Sequence, residues 1–200
     1  ADGAVAGIED LPHLLADIRP PVLLCLLGNT FSNFEPDELL ATVAGHLAAG
    51  DSFLFDCHLA PDAEADVEDW RRRVEAAYGS DENARFNLGP LTSRGVDPAA
   101  CRFRLELTRV RTPYGPAWRT HKTIELLADA EASFPSGPLA LPAGRVIEMG
   151  FTYKHTRGQV IDHVRRHGLD AVRAWTDAAG GNLLVLARRP KGDGDESDRD

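Results

Sequence analysis

The chain has 200 residues, 43% of them hydrophobic, 3 cysteines and a formal net charge of −9 at pH 7. That length fits one ordinary domain or a large part of a longer protein, and the apolar share supports a packed core rather than wholesale disorder. The acidic balance excludes a nucleic-acid-binding surface, because neutralising phosphates takes clustered Lys and Arg. Cys25, Cys57 and Cys101 are too few and too scattered for a disulfide framework. No apolar stretch reaches the ~18 residues of a membrane span, and the N-terminus lacks the basic-then-apolar pattern of a signal peptide. A cytoplasmic protein without a membrane contact is therefore expected. The chain opens without methionine, at Ala1-Asp2-Gly3, which reads as a boundary inside a longer protein.

Ile8 to Ile18 has the spacing of a short helix leading into the first strand. Val22 to Leu27 is apolar at every position, the pattern of a strand buried on both faces in a parallel sheet, with Cys25 acting as a small hydrophobe. Pro36 in a first helical turn, acids beside it, and Leu39, Leu40, Val43 and Leu47 at helical spacing predict a helix closed by Gly50. Ser52 to Cys57 repeats the buried-strand pattern, so strand, helix and strand form a βαβ unit. From Asp62 to Gly79 a second helix is expected, with Val67, Trp70, Val74 and Ala77 inward and Arg71, Arg72 and Arg73 among acids on a solvated ion-pair face.

Farther on, Cys101 to Val110 alternates Phe103, Leu105 and Leu107 with Arg104, Glu106 and Thr108, the signature of a half-exposed antiparallel strand. A turn at Thr112 to Pro116 returns it as Trp118 to Ala128. Ser133 to Gly144 reads as a Pro/Gly-rich loop and Arg145 to Lys154 as another strand. Thr156 to Leu169 predicts a helix ended by Gly168, and Asp170 to Asp177 with Asn182 to Arg189 a hairpin around a Gly-Gly turn. Residues 190–200 hold no apolar side chain and read as a disordered acidic tail. Trp70, Trp118 and Trp175 read as packing residues.

In an open α/β sheet, ligands gather beyond the carboxyl ends of parallel strands. Gly28-Asn29-Thr30 and Asp56-Cys57-His58 are those ends here. Glycine admits a ligand close to the backbone, and an asparagine such as Asn33 can donate to a carboxylate and accept from an amine, which suits a zwitterion. The same asparagines also read as ties for the turn and caps for the helix. His163 and His167 share a helix face, but with no third ligand in view they read as a surface pair, and no metal is expected. Cys57 and His58 alternate across a strand, so they should not meet as nucleophile and base, and no catalytic residue is assigned. His58 reads as facing either solvent or the crevice.

The segment Leu26 to Glu38, with Phe86-Asn87, Thr152 to Thr156 and Trp175 to Asp177, resembles the histidine-specific N-methyltransferases, S-adenosylmethionine-dependent enzymes of the ergothioneine pathway and their relatives. The resemblance spans roughly residues 5 to 189. It implies a class I, Rossmann-like methyltransferase sheet with an antiparallel substrate-recognition domain inserted in it and reversed C-terminal hairpin strands. Residues 1–60 would then be the C-terminal part of the cofactor-binding α/β sheet, 61–153 the insertion, and 154–189 the helix and hairpin that complete the sheet. It further implies transfer of a methyl group to the amino group of a small amino-acid-like substrate. Gly28, Asn29 and Thr30 would sit at the methionine end of the cofactor. Asn33 would hold the substrate head group, Tyr78 would aim its hydroxyl at the substrate carboxylate, Phe86 and Asn87 would line the pocket, and Thr152 would help read the side chain.

The sequence departs from the family pattern in several places. No glycine-rich turn follows a strand near the N-terminus, so the sheet is expected to be N-terminally incomplete. The acid that would contact the adenine side falls near Ile8, and Glu9 serves only with a shift of register. Gly150 stands where histidine-specific members have the glutamate that reads the imidazole, and Glu148, two residues earlier on the same strand face, is the substitute. These departures leave the substrate side chain open. They also leave open a different class of protein: a non-catalytic or split-partner domain whose uncovered sheet edge is closed by dimerisation or a complementing chain.

Overall fold

The computed structural model describes residues 10–16, 18, 19, 21–113 and 115–191. Glu9 and the acidic tail from residue 192 onward lie outside the described residues. In chain order the elements are α1 (Leu11–Ala16), β1 (Leu23–Leu26), α2 (Pro36–His46), β2 (Ser52–His58), α3 (Val67–Tyr78), α4 (Asp81–Thr92), β3 (Cys101–Thr112) and β4 (Gly115–Leu126). There follow β5 (Ala130–Phe134), β6 (Gly137–Leu141), β7 (Val146–Lys154), α5 (Arg157–Arg166), β8 (Asp170–Thr176) and β9 (Asn182–Arg188). The chain divides into two compact units. The first takes the residues up to Asp62, Arg111–Ala117 and those from Tyr153 onward; the second takes Ala63–Val110 and Trp118–Thr152.

The first unit is an α/β sheet of order β1-β2-β9-β8. β1 and β2 are parallel, with Leu24 opposite Phe53 and Leu26 opposite Phe55, and α2 makes the crossover. β9 runs antiparallel to β2 and β8 antiparallel to β9, so the terminal hairpin joins the sheet by its second strand. Burial explains that order. β9 carries Leu183, Val185 and Ala187 fully buried, whereas β8 leaves Val172 and Trp175 exposed and occupies the edge. One face of the sheet packs on α2 and α5 through Phe53, Phe55, Leu39, Leu40, Val43, Val160 and Val164. Phe31 stacks on Phe55 with ring centroids 4.2 Å apart, extending that core under the turn after β1.

Two expectations change. The apolar run from Val22 to Leu27 predicts a strand buried on both faces, yet Leu23 is 56% and Leu27 53% exposed. β1 is an edge strand of the described sheet: Leu24 and Leu26 pack against the core, while Leu23, Cys25 and Leu27 do not, so Cys25 is exposed rather than a core hydrophobe. His163 and His167 do not form a solvated pair. His163 is 1% exposed, its Nδ1 3.7 Å from Asp37 Oδ1, and His167 Nε2 lies 3.0 Å from the same oxygen. Asp37 sits in the first turn of α2, where a carboxylate is favoured by the helix dipole. His155, also buried, meets His163 edge-on at 4.7 Å and stacks on Tyr153.

The second unit holds α3, α4 and most of a sheet of order β3-β4-β7, with the β5–β6 hairpin beside it. Its core gathers Leu91, Val96, Ile124, Leu126, Ala132 and Leu141. Two elements escape the sequence patterns. The segment expected to be a loop at residues 133–144 instead contributes β6 and the end of β5, with Ala132 opposite Leu139, because Ala132 and Leu141 are buried on that core. α4 was not anticipated. It starts at Ser80, whose hydroxyl accepts from Asn83 N–H, and it tolerates Gly89 and Pro90 only near its last turn. The expected ion-pair face of α3 is present, Arg71 pairing with Glu68 and Glu75, and Arg72 with Asp69. No helix among the described residues is long and apolar enough to cross a membrane.

Buried polar groups hold the first unit together and make its stability testable. Asp51 is buried and accepts from Val22 N–H at 2.7 Å and Ala48 N–H at 2.8 Å, fastening the start of β1 to the loop after α2. Asp51→Ala strands both amides and is expected to cost about 3 kcal/mol in urea unfolding, with Asp51→Asn costing less. Burial pushes His155 and His163 down from 6.5 to about 4; the neighbouring imidazole adds to this at His155, and Asp37 opposes it at both. The unfolded chain therefore binds more protons between pH 6.5 and about 4, so stability is full above that window and falls as pH drops through it. A loss on the order of 2 kcal/mol per histidine is expected across the window. Denaturation midpoints measured against pH should show a slope that His155→Phe reduces.

Candidate active site

The carboxyl ends of β1 and β2 meet at a turn whose backbone only a few residue types can adopt. Gly28 has φ +83° and Asn29 φ 59°, the left-handed region, where asparagine is the commonest residue after glycine. Asn29 N–H donates to both carboxylate oxygens of Asp56, at 3.2 and 3.1 Å. Its side-chain oxygen accepts from His58 N–H at 2.8 Å and from Ser32 Oγ at 3.0 Å. Asn29 thus staples the end of β1 to the end of β2, which is the tying role its residue type allowed. The Thr30 hydroxyl donates to the Leu27 carbonyl at 2.8 Å and tightens the same turn. A Cβ at Gly28 would meet nothing nearer than Thr30 Oγ1 at 4.0 Å, so the backbone is open there.

Asn33 is different. It closes the short 3-10 turn Thr30–Asn33 and is exposed. Its carboxamide makes no hydrogen bond among the described residues, and the helix that follows has Glu35, not Asn33, at its N-cap. Glu35 accepts from Tyr153 Oη at 2.7 Å, tying the segment after Asn33 to the end of β7.

Around the end of β2 the titratable groups sort by face. Cys57 is buried, and burial pushes its thiol up to about 12, with Lys154 opposing and Asp56 adding, so no thiolate nucleophile stands there at neutral pH. His58 is exposed on the other face, lowered chiefly by burial and then by Lys154, against Asp56 and Asp177. Lys154 is 1% exposed, and burial brings its ammonium down to about 8. The sequence marks Asp56 only as part of the carboxyl end of the second strand, and it does not mark Lys154. The signal for Lys154 is a lone lysine at the end of an apolar strand.

In the second unit, Tyr78 ends α3 half-buried, and Lys122 Nζ lies 5.9 Å from its ring centroid. Phe86 projects from α4 with 80% of its surface exposed, and Pro90 lacks the N–H that would have met the Phe86 carbonyl. Asn87, next to it, is buried, and its Nδ2 donates to Asn83 O at 2.7 Å and Asn83 Oδ1 at 2.5 Å. Thr152 is buried with its hydroxyl 2.5 Å from that of Thr120. Glu148 pairs with His121 at 3.3 Å and Arg119 at 3.8 Å. Thr120 and His121 are consecutive in β4 and point to opposite faces, so Thr152 and Glu148 do too. The expected alternation would have put them on one face. The switch falls at Gly150, whose φ is +135°. Glu148 therefore cannot join Thr152 in reading one side chain from one face of β7.

Among the described residues, no group of three or more His, Cys, Asp or Glu is arranged to hold a metal ion. Solved structures similar to the chain include an S-adenosylmethionine-dependent methyltransferase from Clostridium acetobutylicum ATCC 824, with TM-score 0.40, 9% identity, and coverage of 84% of this chain and 58% of that one. The amino pentose methyltransferase CalS10 from Micromonospora echinaspora, solved with S-adenosylmethionine, gives TM-score 0.35 and 13% identity, over 84% of this chain and 57% of that one. The glycopeptide N-methyltransferase MtfA gives TM-score 0.35 and 15% identity, over 88% and 62%. The chain thus spans about 57–62% of the length of these structures. No curated protein matches it in sequence. A family model described as "histidine-specific methyltransferase, SAM-dependent" matches residues 3–189. The chain belongs to the histidine-specific, S-adenosylmethionine-dependent methyltransferase family.

Proposed function

We propose that the chain carries the substrate-handling part of an S-adenosylmethionine-dependent N-methyltransferase that acts on the amino group of a small amino-acid-like metabolite. The observation that carries this reading is Asn33, an exposed carboxamide with no hydrogen bond among the described residues, just past the carboxyl end of β1. A surface amide placed only to hold a turn would be bonded within it, as Asn29 is. Asn33 offers a donor and an acceptor together, the pair an ammonium–carboxylate head group needs.

The residues present fit the methionine end of the cofactor. Gly28 leaves the backbone open, and the turn through Asn29 and Thr30 is rigid because Asp56, His58, Ser32 and Leu27 hold it. We assign Gly28, Asn29 and Thr30 to that end. The adenine side is assigned to Glu9, outside the described residues. S-adenosylmethionine supplies a methyl group already activated on sulfonium, so the protein needs neither nucleophile nor metal for this transfer. What remains for the chain is to hold the amine in line, unprotonated, with water excluded. Asn33 and Tyr78 are assigned to the head group. Phe86, whose ring is exposed, and Asn87, already tied to Asn83, are assigned to the pocket wall, and Thr152 or Glu148, on opposite faces of β7, to the side chain.

The open edge of β1 supports a second reading, a methyltransferase-fold domain that works only when a second copy or a complementing chain covers Leu23, Cys25 and Leu27. Isothermal titration separates the two. On the first reading the chain binds S-adenosylhomocysteine, and with it an L-amino acid. Asn33→Ala then weakens amino-acid binding by about tenfold or more while leaving S-adenosylhomocysteine binding and the unfolding midpoint unchanged. Unchanged amino-acid affinity in Asn33→Ala overturns the role of Asn33. No binding of S-adenosylhomocysteine, with self-association in sedimentation, favours the second reading.

A further inference from the structure

We propose that Lys122 is a substrate-binding residue of the second unit that takes the carboxylate of the amino-acid substrate beside Tyr78; the assignment rests on the substrate class given above. β4 lays Trp118, Thr120 and Lys122 on one face, two residues apart. α3 runs along that face, since Trp70 packs on Trp118 with ring centroids 5.6 Å apart and Tyr78, eight residues later, lies against Lys122. Between them, Thr120 is fully buried and bonds Thr152. The lysine stem is thus laid on the same face as Thr152, and its ammonium is brought to the end of α3 where the Tyr78 side chain stands.

The charge at that point is uncompensated. Several other cations of this sheet are paired: Arg104 and Arg102 with Glu125, Arg109 with Glu64, and Arg119 with Glu148. Lys122 is half-buried and has no carboxylate partner among the described residues; its Nζ lies 5.9 Å from the Tyr78 ring centroid. A ring at that distance sits at the outer limit of a cation–π contact, worth about 0.5–1 kcal/mol, and does not neutralise the ammonium. Glu125 is engaged with Arg104, Glu75 with Arg71, and Glu148 with His121 and Arg119. The Lys122 ammonium, with three donors laid against the Tyr78 ring, is the charged group this face offers a carboxylate. A substrate amine without a carboxylate gains nothing from it, so the position selects amino acids over amines.

The chain has only three lysines, Lys122, Lys154 and Lys191, which makes the assignment directly observable. The test titrates the full chain, with S-adenosylhomocysteine present, with matched pairs of probes: histidine and histamine, tyrosine and tyramine, tryptophan and tryptamine. The expected result is at least one pair in which the amino acid binds about tenfold or more tighter than the amine. Lys122→Met should bring that pair within about threefold, and Lys122→Arg should keep the preference. In wild-type chain with 13C-dimethylated lysines, the Lys122 signal should move with the amino acid and stay with the amine, which decides the matter even where Lys122→Met folds poorly. A preference retained in Lys122→Met, or a Lys122 signal indifferent to the amino acid, overturns the assignment while the methyltransferase reading stands. Failure of S-adenosylhomocysteine and every amino acid to bind overturns that reading and this one with it.

Discussion

The staple made by Asn29 is the constraint on which the first unit's site depends. Two parallel strands end side by side with no cross-connection of their own beyond the last ladder bond. Here one residue supplies it, donating its backbone amide to Asp56 and accepting the His58 amide with its side chain. Asn29 makes both bonds in the left-handed conformation, which asparagine adopts more readily than most residues other than glycine. Because the turn is held from β2 rather than by packing above it, its outer surface stays bare at Gly28 and Asn33. Rigidity without coverage is what a ligand-positioning turn needs.

The second unit shows the complementary device, a strand that changes face. Before Gly150, Ile147 and Met149 pack against the core and Glu148 points away to Arg119 and His121; after it, Thr152 turns inward to Thr120. The glycine's φ of +135° accommodates that change. A side chain at the same position would be strained whatever the space around it. The sheet's outward face holds the ion pairs of Glu125 and Glu148, and its inward face holds Thr120, Thr152, Trp118 and Lys122. Any reading of substrate chemistry from this unit depends on which of those faces a residue occupies, and sequence spacing alone misplaces Glu148 relative to Thr152.

Much of the architecture was legible because periodicity reports burial directly. The βαβ segment, the alternating strand β3 and the terminal hairpin all follow from which side chains must leave water. What periodicity does not report is the neighbour. The run from Val22 to Leu27 is as apolar as a central strand, and nothing in it says that the described sheet ends there. His163 looks like a surface residue by type, yet it is buried between Asp37, more than a hundred residues earlier and 3.7 Å away, and the His155 ring. α4 was hidden by Gly89 and Pro90, although Ser80 followed by two acids is a helix start. In the site, the residue types that tie a turn and those that bind a zwitterion are the same. Only hydrogen-bond partners separate Asn29, which is spent on the fold, from Asn33, which is not.

The central claim is that the stapled turn after β1 receives the methionine end of S-adenosylmethionine. Amide chemical-shift mapping of the 15N-labelled chain on addition of S-adenosylhomocysteine tests it most directly. The account predicts that the largest perturbations fall on Gly28 to Asn33 and on Asp56 to His58, with the β5–β6 hairpin unmoved. Saturable binding whose perturbations leave that turn untouched would contradict it.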